Sequence, residues 1–252
     1  MYRSAIWSFP ICTLTVIRTA TGCRLVHSRD ELRTRSESLP PAWHPLSSGR
    51  RAIWPTDPDA GGTWIAVRDD GLSISLLNRN IPPNGRPEPT ASRGGLIPDL
   101  IDLDTPERIL AALAARDLAP VAPFRLLALD AQGRGGLVTW NGLALTEPDD
   151  MDPPMCLASS GLGDDKVMVR QPLFESTVAV EPTPRRQDAF HRHRWDDRPE
   201  VSVLMSRADA RTVSITTVEI ARGFDPVFRV EPLPAAEPWC DPVGARAAAR
   251  RH

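Results

Sequence analysis

Two short runs of alternating apolar and polar residues near the start of the chain predict a β-hairpin. Residues 13–18 and 23–28 are rich in β-branched side chains and flank a turn that contains Gly22, a pattern typical of paired strands. Antiparallel pairing brings the open ends of a hairpin together. Cys12 is therefore expected beside residues 28–31, Ser-Arg-Asp-Glu, which places a thiol next to a guanidinium and two carboxylates.

A second hairpin and a well-capped helix are the clearest elements that follow. Residues 61–68 and 72–78 alternate on either side of Asp69-Asp70-Gly71, and an Asp-Gly step between such runs is a strong hairpin signal. Thr105-Pro106-Glu107 is a typical start for a helix over residues 108–116, because threonine caps the first turn and proline fits its first position.

The rest of the chain divides into further strands, a few helices and proline-rich loops. Residues 34–58 contain several prolines and are predicted to form an irregular loop. A short helix is expected at 96–103, and one or two helices within 163–198. The remaining predicted strands are residues 124–129, 136–140, 143–146, 155–159, 201–205, 212–220 and 228–230.

Taken together, the pattern predicts an antiparallel α+β layered domain of about eight to ten strands. The expected domain covers residues 12–243, with a dispensable leader at 1–11 and a flexible tail at 244–252. No glycine-rich phosphate-binding motif follows a strand, which argues against a Rossmann or P-loop fold.

Composition and charge exclude several classes of protein. The formal charge of −2 gives no general attraction to nucleic acid or anionic membranes. No apolar run approaches the roughly 20 residues of a transmembrane helix, and Pro10 interrupts the apolar stretch that a signal peptide would need. We therefore expect a cytoplasmic protein without a transmembrane segment, and nothing in the sequence indicates an oligomeric state.

Neither a disulfide framework nor a metal site is predicted. The 4 cysteines show no CxxC pair, which argues against a disulfide framework or a zinc knuckle. His191-Arg192-His193 with Asp196-Asp197 has the composition of a metal cluster. Such residues beside arginines and prolines are more often a solvated surface.

Five blocks in a fixed order resemble the NRDE proteins, the transport and Golgi organisation 2 family. The family's Asn-Arg-Asp-Glu motif is present with Ser28 in place of asparagine. The blocks are Cys12-Thr13-Leu14, His27-Ser28-Arg29-Asp30-Glu31, Asp57 with Ala60-Gly61-Gly62-Thr63-Trp64, Gly71 with Leu77-Asn78, and Ser92-Arg93-Gly94.

The resemblance implies a fold and a set of site residues. The family is similar to cysteine-type N-terminal nucleophile hydrolases, which implies a four-layer αββα fold with mostly antiparallel sheets. Cys12 would be the nucleophile, with Arg29 and Asp30 as its electrostatic and amine-orienting neighbours. Asn78 would donate to the oxyanion, and Ser159 stands where such enzymes usually carry a further asparagine.

Two functions are compatible with this resemblance. The first is a cysteine-dependent hydrolase or acyltransferase acting on an amide or thioester, in which the α-amine of Cys12 is the base. This amine is free only if residues 1–11 are removed by cleavage or if translation begins near Cys12. The second is a carrier of haem, a lipid or acyl-CoA without catalysis. Either function takes a small-molecule or acyl ligand, and neither requires a cofactor, with haem considered only as a transported ligand.

Each candidate residue also has a structural interpretation. Cys12 could be a small buried strand residue, since free cysteine is among the most buried residue types. The charged cluster Arg29-Asp30-Glu31 could be an ion-pair network that holds the hairpin to the sheet, and Asn78 could cap a turn. For haem, the sequence offers neither a Cys-Pro pair nor a CxxCH motif, so it identifies no axial ligand.

Overall fold

The structure, a computed structural model, describes residues 12–80 and 89–234. The predicted leader at 1–11 and tail at 244–252 lie outside the described residues. No helix in the described part of the chain is both long and apolar enough to cross a bilayer.

Twelve strands in these ranges form two antiparallel sheets. The five-stranded sheet has the order β10-β1-β2-β11-β12, and the seven-stranded sheet runs in chain order from β3 to β9. The strands are β1 (Cys12–Arg18), β2 (Gly22–Leu32), β3 (Leu39–Pro45), β4 (Arg51–Thr56), β5 (Ile65–Arg68), β6 (Ser73–Asn78), β7 (Phe124–Leu129), β8 (Gly135–Trp140), β9 (Asp149–Met151), β10 (Met155–Ser159), β11 (Ala210–Ala221) and β12 (Val227–Pro232).

Helices cover the outer face of each sheet. The α-helices are α1 (Leu96–Leu100), α2 (Pro106–Ala114), α3 (Arg170–Phe174) and α4 (Pro184–His191). A one-turn π-helix, Glu175–Ala179, follows α3 directly. As predicted, Thr105 caps α2 by accepting from the backbone N–H of Arg108.

Three apolar clusters hold four layers together. One packs α1 and α2 on the seven-stranded sheet, and another packs the π-helix and α4 on β1 through residues such as Ile17, Val178 and Phe190. A third fills the space between the sheets, where Leu14 and Val16 of β1 meet side chains of the seven-stranded sheet. The layers are therefore helix, sheet, sheet, helix, which confirms the predicted αββα architecture.

Three local predictions were wrong. Residues 34–58 are not an irregular loop, because they contain β3 and β4; β3 is an edge strand, where proline is tolerated. Residues 143–146 form only an isolated bridge from Leu145 to Trp140. Residues 201–205 are not a strand, and β11 pairs instead with β2, an 11-residue strand that extends beyond its predicted end.

Candidate active site around Cys12

Cys12 begins β1 and lies between two neighbouring strands of the five-stranded sheet. Its register partners are Arg29 on β2 and Ser159 on β10. Directly opposed residues on antiparallel strands place their side chains on the same face of the sheet. The Cys12 side chain, which is 7% exposed, packs with the apolar residues between the two sheets.

A cavity of about 340 Å³ opens beside Cys12. Four of the five predicted site residues line it: Cys12, Arg29, Asp30 and Asn78. Ser159 is not among the lining residues; it is fully buried opposite Cys12, and its hydroxyl has no hydrogen-bond partner within the described ranges. The structure thus brings the predicted residues to one place on the molecule.

Charged side chains form a paired network along one wall of the cavity. Arg29 contacts Glu31 at 3.2 Å and Asp57 at 3.1 Å, measured from Nη2 to the carboxylate oxygens. Arg35 shares the same Asp57 oxygen at 2.9 Å. The Arg29 guanidinium also lies over the Trp64 ring, 4.6 Å from its centroid. Glu31 and Asp57 therefore hold Arg29 in a fixed position, and Arg35 pairs with the same two carboxylates.

Burial makes the Cys12 thiol a weak acid in this structure. Desolvation, followed by the charge of Asp30, raises the pKa of Cys12 to about 12, although a backbone hydrogen bond from Asp30 and the charge of Arg29 act in the opposite direction. At neutral pH the thiol is therefore protonated, and attack on a carbonyl requires a base close to the sulphur.

The two carboxylate oxygens of Asp30 differ in whether they have a hydrogen-bond partner among the described residues. Its Oδ1 accepts a hydrogen bond from Thr212, whereas its Oδ2 is buried without a partner among the described residues. Burial raises the pKa of Asp30 to about 7, and the nearby charge of Arg170 opposes this shift. The free oxygen is an acceptor of the kind that a cationic amine on Cys12 would use.

The end of β6 and two loops also line the cavity. Asn78 ends β6, and the turn Arg93–Gly95 lies against the loop that precedes β5. A Cβ added to Gly62 would lie 2.4 Å from the carbonyl carbon of Gly94, so the two backbones meet where only glycine fits. Thr63 N–H also donates to the Gly94 carbonyl at 3.2 Å.

His191 lies in the core rather than on the surface, contrary to the sequence interpretation. Its Nε2 and Thr15 Oγ1 are 2.7 Å apart, and its Nδ1 lies at the same distance from Ser28 Oγ. Burial holds the pKa of His191 well below its usual value. Ser28, the position at which this chain departs from the NRDE motif, is thus the partner of a buried histidine. In the described ranges, no group of three His, Cys, Asp or Glu side chains is arranged to hold a metal ion.

Sequence reasoning missed several residues of the site. Glu31 is predicted beside Cys12 as one of two carboxylates, but the sequence pattern gives no role to Arg35. A local signal for Arg35 does exist, because it follows Glu31 by four residues and pairs with it at 3.6 Å. Asp57 belongs to one of the family blocks, but its contacts with Arg29 and Arg35 were not predicted.

Solved structures with a similar fold include hydrolases. One is the N-acylethanolamine-hydrolyzing acid amidase ortholog of Caenorhabditis elegans, with a TM-score of 0.51 and 15% sequence identity over 88% of this chain and 100% of that chain. Two variants of the conjugated bile acid hydrolase from Clostridium perfringens give TM-scores of 0.53 and 0.54 at 11% identity, covering 91% of this chain and 94% or 95% of theirs. At these identities the likeness shows a shared fold, that of the N-terminal nucleophile hydrolases.

The sequence itself matches a family model. A search of curated proteins found no significant match. The model described as Transport and Golgi organisation 2, in contrast, matches residues 21–205, which is well over half of the chain. The chain therefore belongs to the Transport and Golgi organisation 2 family, and it has an N-terminal nucleophile hydrolase-like fold.

Proposed function

We propose that this protein is a cysteine-dependent hydrolase or acyltransferase that acts on an amide or thioester. The observation that carries the proposal is that Cys12 lines a cavity together with Arg29, Asp30 and Asn78. A volume of about 340 Å³ is near the lower end of the range for small-molecule sites, which is roughly 300–1,000 Å³. The substrate is therefore a compact acyl compound, or one that extends out of the cavity.

The chemistry needs a base, and the α-amine of Cys12 is the natural one. A free α-amine has a pKa of about 7.7–8.0, which suits proton transfer at neutral pH, whereas the pKa of the buried thiol is about 12. We propose that residues 1–11, which lie outside the described residues, are removed to expose this amine. The Oδ2 of Asp30, which has no partner among the described residues, would then accept a hydrogen bond from it.

Catalysis would proceed in two steps. The amine takes the thiol proton as the sulphur attacks the carbonyl carbon, and Asn78 donates to the oxyanion that forms. The amine then returns the proton to the leaving nitrogen or sulphur, and the acyl-cysteine remains. In the second step water, deprotonated by the same amine, attacks the acyl-cysteine and releases the acid and the thiol. An acyltransferase would use another nucleophile in place of water.

A carrier that binds an acyl ligand without turnover is the second candidate. The observation that favours it is the state of the thiol, because Cys12 is only 7% exposed and burial raises the pKa of its thiol. The ligand proposed for such a carrier is haem, a lipid or acyl-CoA. Here Cys12 contributes packing alone, so its replacement should leave ligand affinity nearly unchanged.

Acylation of Cys12 is the first test. The purified protein is characterised by intact mass to establish its first residue, and is then treated with an activated thioester probe. We expect one covalent acyl group, mapped by peptide mass spectrometry to Cys12 and lost in Cys12→Ala. Cys23→Ala is the matched control, because Cys23 is also buried, in β2, but does not line the cavity. A mature protein that retains residues 1–11 and takes up no acyl group would contradict the proposal.

A further inference from the structure

Arg93 places a guanidinium in the same cavity as Cys12. Its backbone lies in the short turn Arg93–Gly95, and its Nη1 donates to the carbonyl of Pro123 at 3.1 Å. This hydrogen bond uses one of the five N–H donors of the side chain. The remaining donors have no hydrogen-bond partner in the described part of the chain, so Arg93 has donors left for a ligand.

Among the described residues that line the cavity, Arg93 is the cation without a carboxylate partner. Arg29 and Arg35 share Glu31 and Asp57 at 2.9–3.6 Å. No carboxylate within the described ranges lies within 4.0 Å of the Arg93 guanidinium, although Glu31 is near enough to raise its pKa. Burial lowers the pKa of Arg93 to about 10, so the side chain is still a cation at neutral pH.

The turn that carries Arg93 is held by its backbone. Gly94 meets Gly62 at a distance that excludes any side chain, and its N–H donates to the Ser92 hydroxyl at 3.3 Å. A guanidinium mounted on such a turn loses little conformational entropy when it binds a ligand, because its position is already set. This arrangement favours a binding role over a purely surface one.

We infer that Arg93 binds an acid group of the substrate, so that this site selects acyl compounds that carry a carboxylate or sulfonate. A planar guanidinium matches such groups with two parallel hydrogen bonds. A neutral ligand would leave the partly buried charge of Arg93 uncompensated, whereas an anionic one would neutralise it. The inference rests on the proposed function, and it deepens that function by naming the class of substrate.

The test measures binding in the Cys12→Ala protein, where no turnover occurs. Two pairs of uncleaved probes are titrated by calorimetry: hexanoylglycine against hexanoylglycinamide, and the N-butyl monoamide of adipic acid against the corresponding diamide. In the first pair the acid lies on the amine side of the amide bond, and in the second it lies on the acyl side. We expect at least one acid to bind about tenfold or more tightly than its neutral partner, since hydrogen bonds to charged groups reach this size.

Substituting Arg93 in the Cys12→Ala protein shows whether this residue causes the preference for acids over amides. Arg93→Gln should bring the ratio of the two affinities close to one, and Arg93→Lys, which keeps the charge, should retain part of it. Arg116→Gln is the control, because Arg116 pairs with Asp99 and does not line the cavity. Thermal melting checks that each variant is folded.

The outcomes separate this inference from the proposed function. If acids and amides bind equally, if neither pair binds, or if the preference survives in folded Arg93→Gln, the assignment of Arg93 is overturned. If the preference follows Arg93 while wild-type Cys12 takes up no acyl group, Arg93 is an acid-binding residue and catalysis is what fails.

Discussion

The polar residues beneath α3 and α4 differ from those around the cavity in how fully they are satisfied. Arg170 donates to the carbonyls of Val201 and Ser202 and to the Thr13 hydroxyl, and both nitrogens of His191 have partners. Around Cys12, in contrast, one oxygen of Asp30 has no partner among the described residues. Arg170 and His191 therefore use their polar groups to hold the fold, whereas Asp30 keeps an acceptor without a partner among the described residues.

Replacing Arg170 with methionine should produce the largest loss of stability. The side chain is fully buried, and methionine would leave three acceptors without a donor and remove a cation near Asp30. Breaking a buried charged network costs about 3–5 kcal/mol. Urea unfolding followed by circular dichroism measures this loss. In the same experiment Arg108→Met, which removes an exposed ion pair with Asp104, should cost less than about 1 kcal/mol.

A smaller loss is expected when leucine replaces His191. Ser28 would lose its hydrogen-bond partner, whereas Thr15 would keep the one that Gln187 donates. A buried hydroxyl left without a partner costs about 1–3 kcal/mol, so we expect a loss of about 2–3 kcal/mol in the free energy of unfolding. A loss below about 0.5 kcal/mol would show that the hydrogen bonds of His191 beneath the helices contribute little to the free energy of unfolding.

The sequence predicted those parts of the site that depend on local pattern. Alternation over residues 13–28 was enough to place Cys12 beside residues 28–31, where the structure pairs it with Arg29, and the Asp-Gly turn was enough to place Asn78 at the end of a strand. Both are hairpins, in which the two strands are close along the chain and the turn residues fix the register.

The contacts that the sequence did not reveal join residues far apart in the chain. His191 meets Thr15 and Ser28 across more than 160 positions, and no local pattern distinguishes such a histidine from one on the surface. Residues 201–205 alternate like a strand, but their apolar side chains pack beneath the helices instead of joining a sheet. The family resemblance supplied the cavity residues because it carries such long-range information.

His27, in the space between the sheets, allows a histidine-to-leucine substitution at a buried histidine that has no hydrogen-bond partner among the described residues. Its effect can be compared directly with that of His191→Leu. His27 is fully buried, and neither ring nitrogen has a partner within the described ranges. His27→Leu removes polar atoms that make no bond, so at pH 7 it should change the free energy of unfolding by less than about 1 kcal/mol. His191→Leu, which breaks two hydrogen-bonding contacts, is the matched control.

The same variant should resist acid better than the wild type. Burial, with a smaller contribution from the charge of Arg29, lowers the pKa of His27 to about 3. Below an unfolded pKa of about 6.5 the unfolded chain binds a proton that the folded chain does not, so stability falls as the pH falls. From pH 7 to pH 5 this contribution is about 2 kcal/mol for one histidine.

Asp30, whose raised pKa is about 7, changes stability in the opposite direction over this pH range, because its ionisation destabilises the folded state as the pH rises. The difference between His27→Leu and wild type, measured by urea unfolding at both pH values, cancels the Asp30 contribution and isolates that of His27. Equal losses in the two proteins would mean that His27 is protonated in the folded state, and therefore that it has a partner between the sheets.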